Sequence, residues 1–182
     1  MNLTRALSVA AGLVLAAAGV VGVSQPASAT LPLPLPTPST CLIQTYNTGN
    51  FLTAVGGGGR TTDVIHTNAN SPAAWETFFL SDAGNGYVGI RTGTGNYLTA
   101  VGGGGRVTDV LHSNATVLLD WEKFNLVPIG GWFAIQTIDG HFLTAVGGGG
   151  QVNDVIHSDA TGIGAWELFR FTCVTETIGG GE

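Results

Sequence analysis

The sequence predicts an all-β domain with threefold pseudo-symmetry, and three observations carry this prediction. One block occurs three times: FLTAVGGGGRTTDVIH (51–66), YLTAVGGGGRVTDVLH (97–112) and FLTAVGGGGQVNDVIH (142–157). Thr53, Thr99 and Thr144 register the copies 46 and 45 residues apart, a fixed period that indicates a repeat architecture. Short apolar runs punctuated by Gly and Asn fill each copy, and no ten-residue stretch after residue 29 keeps a helical period.

The first 29 residues predict an export signal. Arg5 supplies a positive start, Ala6 to Val23 form an apolar stretch, and Ala27 to Ala29 give an A-x-A cleavage motif. A membrane anchor is the alternative, but the apolar stretch is rich in Gly and Ala and is followed at once by small residues and Pro. We therefore expect a secreted, extracellular protein, with a signal of the Ala-rich bacterial type.

The predicted signal is followed by a Pro-rich linker and one domain. The linker, residues 30–40 (TLPLPLPTPST), favours an extended spacer. The domain is expected over residues 41–177, with repeats at about 41–86, 87–131 and 132–177 and a tail at 178–182. The formal net charge is −6 and no Lys/Arg run occurs, which argues against nucleic acid and, after signal cleavage, against membrane surfaces as partners.

Each repeat offers four strand candidates in order. The first strands are expected at 42–45, 88–92 and 133–137; the second at 51–55, 97–101 and 142–146; the third at 61–66, 107–112 and 152–157; the fourth at 75–80, 121–126 and 166–171. The four glycines join the second strand to the third, where a hairpin turn needs positive φ angles. A phosphate loop is disfavoured because the following Gly-Lys-Ser/Thr is missing and the block occurs three times.

Three such units favour a closed barrel, because a propeller usually needs four to eight blades. The motifs that recur are the Gly-x-Tyr/Phe-Leu-Thr-Ala run, the glycine turn and Trp-Glu-x-Phe. The first begins at Gly49, Gly95 and Gly140, and the last at Trp75, Trp121 and Trp166. Together they resemble the fascin-like β-trefoil family over residues 41–173. The actin bundling of fascins is not expected here, because the chain is acidic and exported.

Two cysteines, Cys41 and Cys173, lie at the two ends of the domain. An even pair in an exported protein suggests a disulfide. The resemblance to a β-trefoil implies that the first and last strands pair, and the phase of Ile43 and Phe171 then directs both cysteines inward. We expect a buried disulfide.

Polar residues recur at three places and form the candidate ligand-binding set. These residues are Asp63, His66, Asn68 and Trp75 in the first repeat; Asp109, His112, Asn114 and Trp121 in the second; and Asp154, His157, Asp159 and Trp166 in the third. Structural roles are the alternative. The Asp carboxylates could accept hydrogen bonds from the glycine-turn amides, and the His rings could be half-buried at strand ends. Each Trp either folds into the core or stands on the outer face, and the resemblance favours a structural role.

The leading hypothesis is a non-catalytic carbohydrate-binding module, a lectin with up to three similar sites for an extracellular or cell-wall polysaccharide. Carboxylate, amide and aromatic groups suit sugar hydroxyls and ring faces. The Gln-x-Trp motif of ricin-type lectins is missing, so their sugar pocket is not transferred.

The alternatives are a protein-binding or inhibitor-type domain acting through its variable loops and, less favoured, a three-histidine metal site at His66, His112 and His157. The variable loops are 70–74, 116–120 and 161–165. No catalytic residue, resident metal or cofactor is expected, because no Ser or Cys nucleophile stands beside a base, and we expect a monomer.

Overall fold

The structure, a computed structural model, describes residues 38–175. These residues contain twelve β-strands and six 3₁₀ turns. The strands are β1 (Ser39–Thr45), β2 (Phe51–Ala54), β3 (Ile65–Ala69), β4 (Thr77–Asp82), β5 (Val88–Arg91), β6 (Tyr97–Ala100), β7 (Leu111–Ala115), β8 (Lys123–Ile129), β9 (Trp132–Gln136), β10 (Phe142–Ala145), β11 (Ile156–Ala160) and β12 (Leu168–Thr175). The 3₁₀ turns are η1 (Val55–Gly57), η2 (Ala74–Glu76), η3 (Val101–Gly103), η4 (Asp120–Glu122), η5 (Val146–Gly148) and η6 (Ala165–Glu167). The predicted signal, most of the linker and the tail lie outside the described residues.

Six of the strands close into a barrel. β1 pairs with β12 and β4, β5 pairs with β4 and β8, and β9 pairs with β8 and β12, so the ring has no free edge. The hairpins β2–β3, β6–β7 and β10–β11 are attached to this ring through β1, β5 and β9. A six-stranded barrel with three hairpins is the β-trefoil, so the predicted fold class is confirmed. None of the helices in the described residues has the length and apolar character needed to cross a membrane.

The core repeats threefold like the sequence. Phe78, Phe124 and Phe169 occupy equivalent places on β4, β8 and β12 and are completely buried. Two further sets of buried side chains surround them: Ile43, Ile90 and Ile135 from the barrel, and Leu52, Leu98 and Leu143 from the hairpins. Burial of these alternating apolar residues is the main force that holds the strands together.

The predicted start of the third strand is wrong by four residues in every repeat. The strands begin at Ile65, Leu111 and Ile156. The segment before each strand ends in a turn in which Asp63, Asp109 and Asp154 take φ angles of 50°, 48° and 49°. A left-handed residue interrupts an extended strand, and Asp tolerates that conformation better than most side chains.

The glycine turns have the predicted positive φ angles. In the first repeat, Gly56 to Gly59 have φ of 68°, 82°, 112° and 78°. The third glycine is also sterically required, since a Cβ on Gly58 would overlap the Thr92 hydroxyl of the following repeat. Each glycine turn therefore packs against its neighbour as well as reversing the chain.

Hydrogen bonds join each glycine turn to the hairpin of the next repeat. Gly59 N–H donates to Ser113 O (2.7 Å), Ser113 N–H donates to Arg60 O (2.8 Å), and Arg60 N–H donates to Ser113 Oγ (3.1 Å). The same bonds join the second repeat to the third through Ser158 and the third to the first through Thr67. The three hairpins are thus linked in a closed ring.

The predicted disulfide is present. Cys41 and Cys173 are direct partners in the β1–β12 register, and their sulfur atoms are 2.01 Å apart. Cys41 is buried, whereas Cys173 is only partly buried. The bond therefore joins the first and last strands at the point where the barrel closes.

Candidate functional site

The tryptophans of the Trp-Glu-x-Phe motifs stand on the outer surface. Trp75, Trp121 and Trp166 are 51%, 49% and 46% exposed. Each lies in a 3₁₀ turn immediately before the last strand of its repeat. The Trp points outward and the following Glu inward, in the phase that strand alternation gives them. A core position, one of the two alternatives, is therefore wrong.

A buried glutamate anchors each Trp turn. Glu76 Oε1 accepts a hydrogen bond from Thr53 Oγ1 (2.6 Å), and Oε2 accepts one from Ala73 N–H (2.7 Å). The same pair of bonds is made in the other two repeats by Glu122 and Glu167. Because both carboxylate oxygens are satisfied inside the protein, the glutamates hold the turn in place and are not available to a ligand.

In the first two repeats the indole lies next to its own glycine turn, beside a side chain of the following repeat. A Cβ placed on Gly57 would be 3.6 Å from Trp75 Cδ1 and 3.5 Å from Thr94 Cγ2. In the second repeat the equivalent glycine, Gly103, faces Trp121 and Ile138. The result is an exposed aromatic surface at the junction of two repeats, next to the bare backbone of the glycine turn.

The Asp and His that recur in each repeat are bonded to each other. Nε2 of His66 is 2.6 Å from Oδ1 of Asp63, and the corresponding distances in the second and third repeats are both 2.8 Å. The His rings are about one quarter exposed, at 24%, 26% and 25%, while the Asp side chains are 49%, 52% and 67% exposed. The Asp therefore orients the His ring, and the ring keeps an accessible edge.

An arginine completes this pair in two repeats only. Arg60 Nη2 lies 3.4 Å from Asp63 Oδ2, and its Nε donates to the backbone carbonyls of Thr62 and Asp63. Arg106 does the same in the second repeat. The third repeat has Gln151 at this position, so the three units differ in local charge.

The β2–β3 register places the His next to the Thr that anchors the Trp turn. His66 stands directly opposite Thr53, and opposing residues of an antiparallel pair point to the same face. Thr53 bonds to Glu76 from that face, and Glu76 is next to Trp75. The structure thus places His66 beside the Thr53–Glu76 bond that anchors the Trp turn.

The remaining predicted residues lie further along the same strands. Asn68, Asn114 and Asp159 are exposed near the ends of β3, β7 and β11. Sequence reasoning missed the buried Glu–Thr bonds that present the tryptophans. The recurrence of Leu-Thr-Ala and Trp-Glu at fixed spacing was the signal that could have paired them.

A shallow cavity of about 570 Å³ lies between the three third-strand segments. Its walls are 61–65, 107–111 and 152–156. The histidines do not line it, and each bonds to the Asp of its own repeat. Within residues 38–175 no group of three His, Cys, Asp or Glu side chains is arranged to hold a metal ion, so the structure does not bring the three histidines of the metal hypothesis together.

Asp139 and His141 form a contact that only the third repeat contains. Oδ1 of Asp139 accepts hydrogen bonds from Thr137 Oγ1 (2.6 Å) and from His141 N–H (3.4 Å). His141 Nδ1 is shielded from solvent and lies 3.1 Å from the same oxygen, without the alignment of a hydrogen bond. Partial burial pushes the pKa of Asp139 up, but the contacts with Thr137 and His141 outweigh it and leave the pKa below its ordinary value.

Comparisons with solved structures agree with this architecture. The chain is similar to a designed threefold-symmetric protein, ThreeFoil (14% identity, TM-score 0.62, covering 72% of this chain and 96% of that one). It is similar to the Rhizoctonia solani agglutinin (18%, 0.62, 77% and 97%) and to SeviL bound to asialo-GM1 saccharide (15%, 0.56, 75% and 98%). No protein-family model matches the sequence, and no curated protein matches it. Identities this low show the fold alone, and the fold is the β-trefoil.

Proposed function

We propose that this protein is a secreted, non-catalytic carbohydrate-binding module with three similar sites. The observation that carries the proposal is the threefold exposure of Trp75, Trp121 and Trp166 on rigid turns at the repeat junctions. A flat aromatic face outside the core is the usual platform for the apolar side of a sugar ring. Three weak sites on one body would give avidity for a polysaccharide.

The recurring polar groups of each repeat support the same chemistry. The half-buried His is held by an Asp and stands opposite the Thr that anchors the Trp turn, and an Asn or Asp is exposed further along the strand. Imidazole, amide and carboxylate groups can donate to or accept from paired hydroxyls. The similar solved structures include an agglutinin and a protein bound to a saccharide, which adds support.

Export, membership of a fascin-like group and the lack of catalysis are parts of this proposal. The disulfide is consistent with an oxidising compartment. Both cysteines are in that bond and the Glu oxygens are engaged internally, so neither group supports a nucleophilic or a paired-carboxylate mechanism. Binding to extracellular or cell-wall polysaccharide, by a monomer, is the activity we expect.

A glycan array tests the proposal. The purified protein should bind a subset of glycans, and a variant with Trp75→Ala, Trp121→Ala and Trp166→Ala together should lose that binding. The substituted side chains are about half exposed, so the variant should still fold, as its disulfide and circular dichroism would report. Failure of the wild-type protein to bind any glycan, or full binding by the folded variant, would contradict the proposal.

Protein binding through the variable loops is the second candidate. It is favoured by the exposed apolar side chains of the second loop, where Val117 is 61% and Leu119 is 65% exposed. The other two loops lack this pair, so recognition of this kind would use one site per chain. A single partner molecule per chain, with binding lost in Leu119→Ser and retained in the triple Trp variant, would support this function instead.

A further inference from the structure

One cluster of exposed side chains departs from the threefold repeat. The asymmetric patch consists of Tyr46, Trp132 and Arg170. The rings of Tyr46 and Trp132 meet edge to face, 4.7 Å between centroids, and the Arg170 guanidinium carbon lies 4.5 Å from the centroid of Trp132. Tyr46 is 46% exposed, Arg170 is exposed and Trp132 is half-buried. The patch therefore offers aromatic surface and a cation to solvent.

The fold does not require this patch. The second repeat has Tyr87 and Asn125 where the third has Trp132 and Arg170, and the first repeat has Thr40 and Phe79. Tyr46 lies in a turn one residue longer than its counterparts. Equivalent strands and hairpins form in every repeat with different residues at these positions, so the meeting of these three side chains calls for an explanation other than folding.

The asymmetric patch continues the Trp166 site. Asn47, next to Tyr46, lies against the glycine turn of the third repeat, where a Cβ on Gly148 would be 2.7 Å from the Asn47 Cβ. That turn, η5, packs against η6, which carries Trp166. Tyr46 N–H also donates to Leu168 O (3.1 Å), two residues after Trp166. One surface thus runs from Trp166 across the Tyr46–Asn47 turn to Arg170.

Most cationic side chains of the described residues are paired with a carboxylate, and Arg170 is not one of them. Arg60, Arg106 and Lys123 each form an ion pair with a carboxylate. Arg170 instead stacks on an indole. Stacking occupies the face of the guanidinium and leaves the N–H donors at its edge, where they suit bidentate binding of a carboxylate.

We propose that the third site is extended and binds an acidic oligosaccharide. One sugar ring stacks on Trp166, and a carboxylate-bearing sugar of the same chain, a uronic or sialic acid, binds Arg170 beside Tyr46 and Trp132. This inference rests on the proposed carbohydrate function and deepens it. It makes the third site different from the other two, whereas plain threefold repetition would make all three equal.

Matched glycan pairs test the inference. Each acidic glycan on an array is printed beside its neutral counterpart, the methyl ester of the uronate or the desialylated form, and the best pair is followed by calorimetry. We expect the acidic member to bind the third site at least about 10-fold more tightly. Arg170→Asn, which installs the second-repeat residue, should abolish that preference and leave the affinity for the neutral member within about 2-fold.

Arg91→Gln is the matched control. Arg91 also stacks on an aromatic ring, that of Tyr97, and its Nε donates to Gly95 O. Gln44 and Gln136 make the equivalent bond in the other repeats, so this variant removes the same charge elsewhere and should keep the acidic preference. Equal affinity of wild-type protein for both members, or an acidic preference that survives Arg170→Asn, would overturn the inference while leaving carbohydrate binding intact. Binding to no glycan at all would overturn the proposed function and this inference with it.

Discussion

At the scale of single residues, a buried carboxylate decides how each tryptophan is presented. Glu122 lies next to Trp121, is 5% exposed, and accepts hydrogen bonds from the Thr99 hydroxyl and the Leu119 amide. The sequence made either orientation of Trp possible, because strand alternation alone gave Trp121 the outward phase of Lys123 while the family resemblance suggested packing. In the structure Trp121 keeps the outward phase but lies in a 3₁₀ turn of three residues, and such short turns have no periodic signal in sequence.

Glu122→Ala should destabilise the protein markedly. It leaves one buried and one part-buried donor without partners, and each unsatisfied group costs about 1–3 kcal/mol, so we expect the free energy of unfolding to fall by about 2–6 kcal/mol. Urea unfolding followed by Trp fluorescence measures it. The control is Asp120→Ala in the same turn, whose 76% exposed side chain pairs with Lys123 and should contribute less than about 1 kcal/mol. Equal effects of the two variants would contradict this account of Glu122.

Asp139 should stabilise the protein at neutral pH and lose that effect in acid. The pKa of Asp139 in the folded protein is lowered from 3.8. Its contribution to the free energy of unfolding is therefore complete at a pH above the pKa of the unfolded chain, and it disappears as the pH falls through the lower pKa of the folded protein. Asp139→Thr, which installs the residue found at 48 and 94, should be less stable than wild type at neutral pH. The difference in urea midpoint should narrow below about pH 4. A difference that stays constant with pH would show that Asp139 acts without its charge.

At the scale of elements, the glycine turn was the most predictable part of each repeat. The need for positive φ followed from four consecutive glycines, and the observed angles agree. The start of β3 was not predictable. The sequence TTDVIH suits a strand along its whole length, and nothing in it shows that Asp63 takes a left-handed conformation that delays the strand. The hydrogen bonds between Ser113 and the Gly59–Arg60 backbone were also not predictable, since they join residues of different repeats.

Gly58→Ala and Gly59→Ala should separate steric contact from backbone strain. A Cβ at Gly58 would overlap Thr92, and its φ of 112° suits glycine alone, whereas a Cβ at Gly59 meets nothing within 4 Å. We expect Gly59→Ala to cost about 1–2 kcal/mol from the left-handed backbone and Gly58→Ala to cost about 3 kcal/mol or more. Thermal unfolding compares them. A smaller loss for Gly58→Ala than for Gly59→Ala would contradict the packing of the turn on the next repeat.

At the scale of the whole molecule, the repeats form one closed body. The barrel ring closes where β1 meets β12, and the Cys41–Cys173 bond spans 132 residues across that junction. Pairing of these cysteines was predictable once the trefoil motifs were recognised, because that fold makes the first and last strands neighbours. The asymmetric patch was not predictable, since Tyr46, Trp132 and Arg170 are far apart in sequence and lie outside the repeated motifs.

Removal of the disulfide should destabilise the fold without changing its architecture. The chain-entropy effect for a loop of this length is about 4–5 kcal/mol, and measured losses for native disulfides are about 2–5 kcal/mol. We expect Cys41→Ala with Cys173→Ala to lower the free energy of unfolding within that range. Wild-type protein unfolded in the presence of a thiol reductant is the control and should show the same loss. An unchanged stability in both cases would mean that strand pairing alone closes the barrel.

The number of sugars bound per chain tests the central claim most directly. Calorimetry with a short glycan identified on the array should give about three sites for the wild-type protein, and Trp75→Ala, Trp121→Ala and Trp166→Ala should each remove one of them. That result would establish the three exposed tryptophans as the binding platforms. A single site that survives all three substitutions would contradict the account and direct attention to the variable loops.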